Sequence, residues 1–191
     1  MNKKKIKPLI AVAIVVIAVI ILIRIIYLNR IYPNPNIITY ESYETIKIGN
    51  YDIKQSGWEW GDGNLIKNKC PDYVYMETSD GAEFPLDRER AGLVTLSVTK
   101  AKSDTTTLDI TNIAFEICNN GTQFDMELFY ELNPSIDSMD ISLKEGESVS
   151  IILPVIINDE WFDDNTWSKI DNEDIYMVFQ YYPQKIQLCC R

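Results

Sequence analysis

The stretch Ala91-Gly92-Leu93-Val94-Thr95-Leu96-Ser97-Val98-Thr99 decides the fold class, because Val94, Leu96 and Val98 alternate with Thr95, Ser97 and Thr99. A period of two puts the aliphatic side chains on one face and the hydroxyls on the other, which describes a half-buried strand. Towards the C-terminus, Val149, Ile151, Leu153, Val155 and Ile157 alternate with Ser150 and two further isoleucines. That strand is expected to be covered on both faces for part of its length, with Pro154 placing it at an edge or a bulge. Towards the N-terminus, residues 37–40, 45–48 and 51–55 are rich in β-branched and aromatic side chains, and Gly49-Asn50 marks a tight turn between the last two. Residues 175–182 and 185–190 read as two more strands joined across Pro183-Gln184.

Asn120-Gly121 is the favoured pair for a two-residue hairpin loop, since both positions tolerate φ > 0. With those two as the loop, Ile117 faces Phe124, Phe115 faces Met126 and Ile113 faces Leu128, with Cys118 on the opposite face beside Glu116 and Ala114. Residues 56–90 break the pattern. Gly57, Gly61, Gly63, Pro71, Gly81 and Pro85 predict an irregular stretch with at most one helical turn at residues 65–69. Residues 159–170 predict a short helix capped by Asp163, with Phe162, Thr166, Trp167 and Ile170 closing one end of the core. The total is eight or nine short strands, with helix confined to connections. The expected fold is all-β, an antiparallel β-sandwich of immunoglobulin-like type, although the Cys-Trp-Cys spacing of a true immunoglobulin domain is missing.

Ahead of this domain lies a different kind of sequence. Residues 9–28 carry Arg24 as their only charge and are long enough to cross the ~30 Å hydrocarbon core as a helix. Lys3, Lys4, Lys5 and Lys7 precede the run and only Arg24 and Arg30 follow it closely, a bias that places the N-terminus in the cytoplasm. Arg24 reaches the outer interface by snorkelling. Residues 25–30 offer no small residues for signal peptidase, so the helix is expected to stay as an anchor in the lipid bilayer. The expected organisation is a cytoplasmic tail (1–8), a transmembrane helix (9–28), a linker stiffened by Pro33 and Pro35 (29–36) and an extracytoplasmic domain (37–191) at the cell membrane.

Charge is divided just as unevenly. Beyond position 30 the chain has 12 basic and 28 acidic residues, a net of −16. Such a field repels nucleic acid and other polyanions and favours basic partners or cations. An oxidising exterior permits disulfides among Cys70, Cys118, Cys189 and Cys190. Adjacent cysteines bridge poorly, so the expected bond joins Cys70 or Cys118 to one of Cys189 and Cys190. No Cys-x-x-Cys spacing supports a zinc site.

The order of a basic N-terminus, one apolar helix, Tyr32-Pro33-Asn34-Pro35, Cys70-Pro71-Asp72-Tyr73, Asn133-Pro134, Leu143-Lys144-Glu145-Gly146-Glu147, Leu153-Pro154 and Trp167 resembles a family of uncharacterised, singly anchored surface proteins of Gram-positive Firmicutes. It is similar, more loosely, to the immunoglobulin-like domains of bacterial surface lipoproteins. The resemblance implies topology and source and brings no established activity.

The chain has no histidine, which removes the usual proton shuttle of nucleophilic triads and the commonest transition-metal ligand. Asp159, Glu160, Asp163 and Asp164 beside Trp161 and Trp167 offer carboxylates for a glycan-active site or, with residues 171–174, oxygens for calcium, yet neither segment has the glycine and spacing of a calcium loop. No catalytic residue, cofactor or metal ligand is assigned. The expected role is a non-enzymatic binding module that docks a protein partner; an envelope glycan-active accessory protein and a structural spacer are the alternatives. Trp58, Trp60, Tyr73 and Tyr75 are the candidate partner-binding residues, ringed by Glu59, Asp62, Asp72, Glu77, Asp80 and Glu83. For the two tryptophans, packing in the core is the competing reading.

Overall fold

The computed structural model describes residues 3–32, 35–74 and 81–191, so Tyr75, Glu77 and Asp80, with Pro33 and Asn34 of the linker, lie outside the described residues. The chain divides into two units, residues 1–36 and 37–191. The first contains helix α1 (Lys3–Ile31), of 29 residues. It is long and apolar enough to cross a membrane, the property of an anchor or a signal sequence. It starts earlier and ends later than the apolar run alone suggests, because basic and polar flanks extend a helix freely once it has been nucleated.

From residue 36 onward the strands are β1 (Asn36–Tyr40), β2 (Thr45–Ile48), β3 (Tyr51–Asp62), β4 (Glu89–Lys100), β5 (Leu108–Asp109), β6 (Ala114–Ile117), β7 (Asn120–Gln123), β8 (Asp140–Ile141), β9 (Ser148–Asn158), β10 (Ile175–Gln180) and β11 (Gln184–Cys189). The helices between them are α2 (Asn64–Lys69), α3 (Met126–Leu132) and α4 (Asp164–Trp167). One sheet has the order β1-β11-β10-β6-β7 and the other β2-β3-β4-β9, with β5 and β8 as a small separate pair. The pairings β2–β3, β3–β4, β4–β9, β6–β7, β6–β10 and β10–β11 are antiparallel. The two large sheets share one core: Ile53, Val94, Leu96, Leu153 and Val155 from the four-stranded sheet meet Phe115, Ile117, Ile175, Met177 and Leu188 from the five-stranded one. Each such aliphatic or aromatic side chain contributes about 1.5–3 kcal/mol on burial. The domain is an antiparallel β-sandwich.

The alternation that sets the fold class holds. Val94, Leu96 and Val98 face the shared core, and β9 is an edge strand, as Pro154 requires. Four local expectations are corrected. The hairpin loop is Cys118-Asn119, both at positive φ (49° and 67°), so Ile117 pairs with Asn120 and Phe115 with Thr122. The loop slides by two residues because residues 126–132 form α3 and not the end of a strand. Asp125 caps that helix by accepting from the Leu128 N–H at 2.8 Å, and only four residues remain for β7. Residues 56–62 belong to β3, which passes a bulge between Gln55 and Gly57 and continues along β4. Residues 159–170 form a 3₁₀ turn and the one-turn α4, not a continuous helix. Asp163 does cap that turn through Asn165 and Thr166, and Phe162 stacks on Trp167 at 5.9 Å against the core.

Candidate binding groove

The outer face of the four-stranded sheet carries its own small apolar cluster. Ala91 and Leu93 on β4 and Ile156 on β9 point away from the main core and are covered by Ile66 and Cys70 from α2 and its end, and by Leu128 from α3. This cluster decides where the connecting segments lie. Cys70 ends α2 by donating its N–H to the Ile66 carbonyl at 2.8 Å, and the chain then turns tightly, with the Tyr73 N–H reaching the Cys70 carbonyl at 3.1 Å. Lys67 fixes the turn from above, its Nζ donating to the Tyr73 carbonyl at 2.8 Å while pairing with Glu83. Tyr73 is half-buried against the small cluster.

Between this turn and α3 lies a groove of about 430 Å³. Asp72, Glu127 and Glu131 contribute carboxylates to it, the last two being one helical turn apart on α3. Lys69, the lysine among its described lining residues, is already paired with Glu59 at 2.9 Å. Val74, Met126 and Tyr130 are exposed on and beside the groove. Burial pushes the Cys70 thiol up, reinforced by the nearby Glu131, so this sulfur is held as a thiol and makes a poor nucleophile. The arrangement combines apolar contact area with unpaired negative charge, which suits a basic polypeptide surface.

The other candidates are placed differently. Trp58 and Trp60 lie on the inward side of β3, half-buried, packed on the main core and stacked on each other at 5.7 Å. Trp60 Nε1 donates to Asp171 Oδ1 at 2.9 Å and the Arg191 guanidinium lies 4.7 Å above its ring. These indoles close one end of the sandwich and form no exposed patch, because the bulge before Gly57 turns them inward. Tyr73 does line the groove. Among the described residues no group of three or more histidine, cysteine, aspartate or glutamate side chains is arranged to hold a metal.

The four cysteines are free thiols, so the expected disulfide is not formed. Cys118 follows β6 and Cys189 ends β11, with β10 between the two strands. Two strand spacings amount to roughly 9–10 Å, beyond the usual Cα range for a disulfide. Cys70 belongs to the small outer cluster while Cys190 sits in the main core, its thiol pushed up to about 12 by burial.

Residues 72–186 match the family described as a domain of unknown function, DUF5028. The chain belongs to that family. The DUF5028 segment includes Asp72, Tyr73, α3 and the two sheets from β4 to the first half of β11, whereas β1–β3 and α2 precede it. Among solved structures, a conserved hypothetical protein from Bacillus anthracis is similar over 78% of this chain and 94% of its own, at 18% identity and a TM-score of 0.48. An uncharacterised β-sandwich protein from Clostridium difficile 630 is similar over 82% and 96%, at 11% identity and a TM-score of 0.44. No curated protein matches the chain.

Beside the groove, Glu89 is buried under α2, and a Cβ on Gly63 would stand 2.6 Å from its Oε2. Burial, with Glu83 nearby, raises its carboxyl from 4.5 to about 7 against the opposing pull of Lys67. The folded state therefore keeps a proton that the unfolded chain has released between pH 4.5 and 7. Stability contributed by neutral Glu89 is full below pH 4.5, falls as pH rises to 7 and is flat above. The loss is at most about 3 kcal/mol, and less to the extent that water reaches the carboxyl. Glu89→Gln should remove that slope and leave the domain more stable than the parent at pH 8 in urea titrations. An unchanged pH slope in the variant would contradict this.

Proposed function

We propose that this DUF5028 protein is a membrane-anchored extracytoplasmic binding module of a Firmicute cell surface, with its N-terminus in the cytoplasm, and that it docks a protein partner bearing a basic patch. The observation that carries the reading is the groove beside Tyr73, where Asp72, Glu127 and Glu131 stand, among the described residues, without a free cation next to exposed Val74 and Met126. The net charge of −16 beyond residue 30 gives this groove a long-range field that steers basic surfaces towards it and weakens as salt rises. The absence of histidine, and a Cys70 held as thiol, both weigh against an enzymatic use of the same groove.

Two experiments follow. For topology, protease added to intact protoplasts should digest the chain beyond Tyr32 and spare the Lys-rich start, and a protected C-terminus would overturn the orientation. For docking, a photo-crosslinking side chain at Tyr73 or Met126 should capture one protein on living cells, while the same group at Thr122, on the far edge of the other sheet, should capture none. Equal capture from both places would overturn the groove assignment.

A further inference from the structure

The outer face of the five-stranded sheet holds a second groove, of about 370 Å³, separate from the one beside Tyr73 and within the size range of small-ligand sites. Glu116 on β6, Tyr176 on β10, and Lys185 and Gln187 on β11 form its floor, and Glu173 and Asp174 form its rim. Both of the floor's donor side chains beside Gln187 are committed. Lys185 is ion-paired with Glu116, and the Tyr176 hydroxyl donates to Asp174 Oδ2 at 3.2 Å. Gln187 is only 7% exposed, and its Nε2 donates to Thr39 Oγ1 at 3.0 Å. Its Oε1, however, is buried and accepts no hydrogen bond from the described residues.

A buried amide oxygen without a donor is costly to keep, and native structures leave few of them. Here the missing partner must bring N–H or O–H groups. The carboxylates around it, three against the single lysine, favour a partner that is also positively charged. An ammonium group meets both demands, since it has three donors and no acceptor. We infer that this groove binds an alkylammonium group, carried by a free amine or by a lysine side chain, with one N–H on Gln187 Oε1 and the others on the Asp174 and Glu173 carboxylates. Ile37, at the groove's margin and well exposed, gives the alkyl stem an apolar surface.

The test uses the ¹⁵N-labelled full chain in uncharged detergent micelles, titrated with n-pentylammonium. The Gln187 side-chain amide and the backbone amides of Cys118 and Tyr176 should shift saturably. 1-Pentanol, the neutral counterpart, and sodium chloride at matched ionic strength should not reproduce the shifts. Gln187→Met should raise Kd about tenfold or more, the value of a lost hydrogen bond to a charged group. Asp174→Asn should weaken binding similarly and serves if the Gln187 variant loses its fold. A parallel titration with N-acetyl-lysine amide separates the sources: saturation by this compound alone assigns the groove to a polypeptide lysine, and saturation by pentylammonium alone to a free amine. Shifts that sodium chloride matches, or a Kd unchanged in whichever variant folds, would overturn the inference.

Discussion

Asn133→Ala is expected to lower the unfolding free energy by about 2–4 kcal/mol, more than its polar character suggests. Asn133 follows α3, is nearly fully buried, and uses both ends of its amide on the open edge of β9. Its Nδ2 donates to the Ile152 carbonyl at 2.8 Å and to the Phe129 carbonyl at 2.7 Å, while its Oδ1 accepts from the Ile152 N–H at 2.8 Å. The side chain thus stands in for a missing neighbouring strand. It also ties α3, the wall of the groove, to the sheet. Alanine would leave a donor and an acceptor of Ile152 unpaired in a partly buried place, each costing about 1–3 kcal/mol. Asn133→Asp separates this from a packing effect: it keeps the acceptor for Ile152 N–H but turns a carboxylate oxygen towards two carbonyls, so it should be at least as damaging as alanine. Urea unfolding followed by tryptophan fluorescence reads both, and a loss below about 0.5 kcal/mol for alanine would contradict the role assigned.

Gly92→Val is expected to cost about 3 kcal/mol and Gly92→Ala about 1–3 kcal/mol, from overpacking and not from backbone strain. A Cβ at this position would sit 2.6 Å from Trp58 Cη2 and 2.9 Å from Val155 Cγ1. Trp58 is held in place by its stack with Trp60, ring centroids 5.7 Å apart, and by packing on the main core. The cost should therefore depend on Trp58. In a Trp58→Leu background, Gly92→Ala should cost far less than in the parent, giving a coupling of about 1 kcal/mol or more in the double-mutant cycle. Additive losses would show that the glycine is required for another reason.

The long strands were legible because period two, sustained over β4 and β9, has one structural solution. What the sequence hid was set by competition between neighbours. Asn120-Gly121 has the better intrinsic turn chemistry, but Asp125 caps α3 immediately afterwards, and the turn moves to Cys118-Asn119 to leave β7 a partner. The pair Leu128 and Leu132, four residues apart behind a capping aspartate, was the available signal for that helix. The extension of β3 was masked by Gly57 and Gly61, which read as breakers, whereas Gly57 resumes the pairing with Thr95 just after the bulge and Gly61 continues it opposite Ala91. The groove was half readable. Tyr73 and Asp72 could be named from composition, whereas Glu127 and Glu131 share a wall with them only because residues 126–132 are helical.

That wall is where the account is most exposed. The decisive measurement is the yield of the photo-crosslink from position 73 on intact cells when Asp72, Glu127 and Glu131 are all changed to lysine, with the fold checked by circular dichroism. With the groove steering a basic partner, the crosslink should fall at least tenfold in the reversed protein, and its salt sensitivity should disappear. An undiminished yield from the folded variant would mean that partners do not dock on this acidic surface.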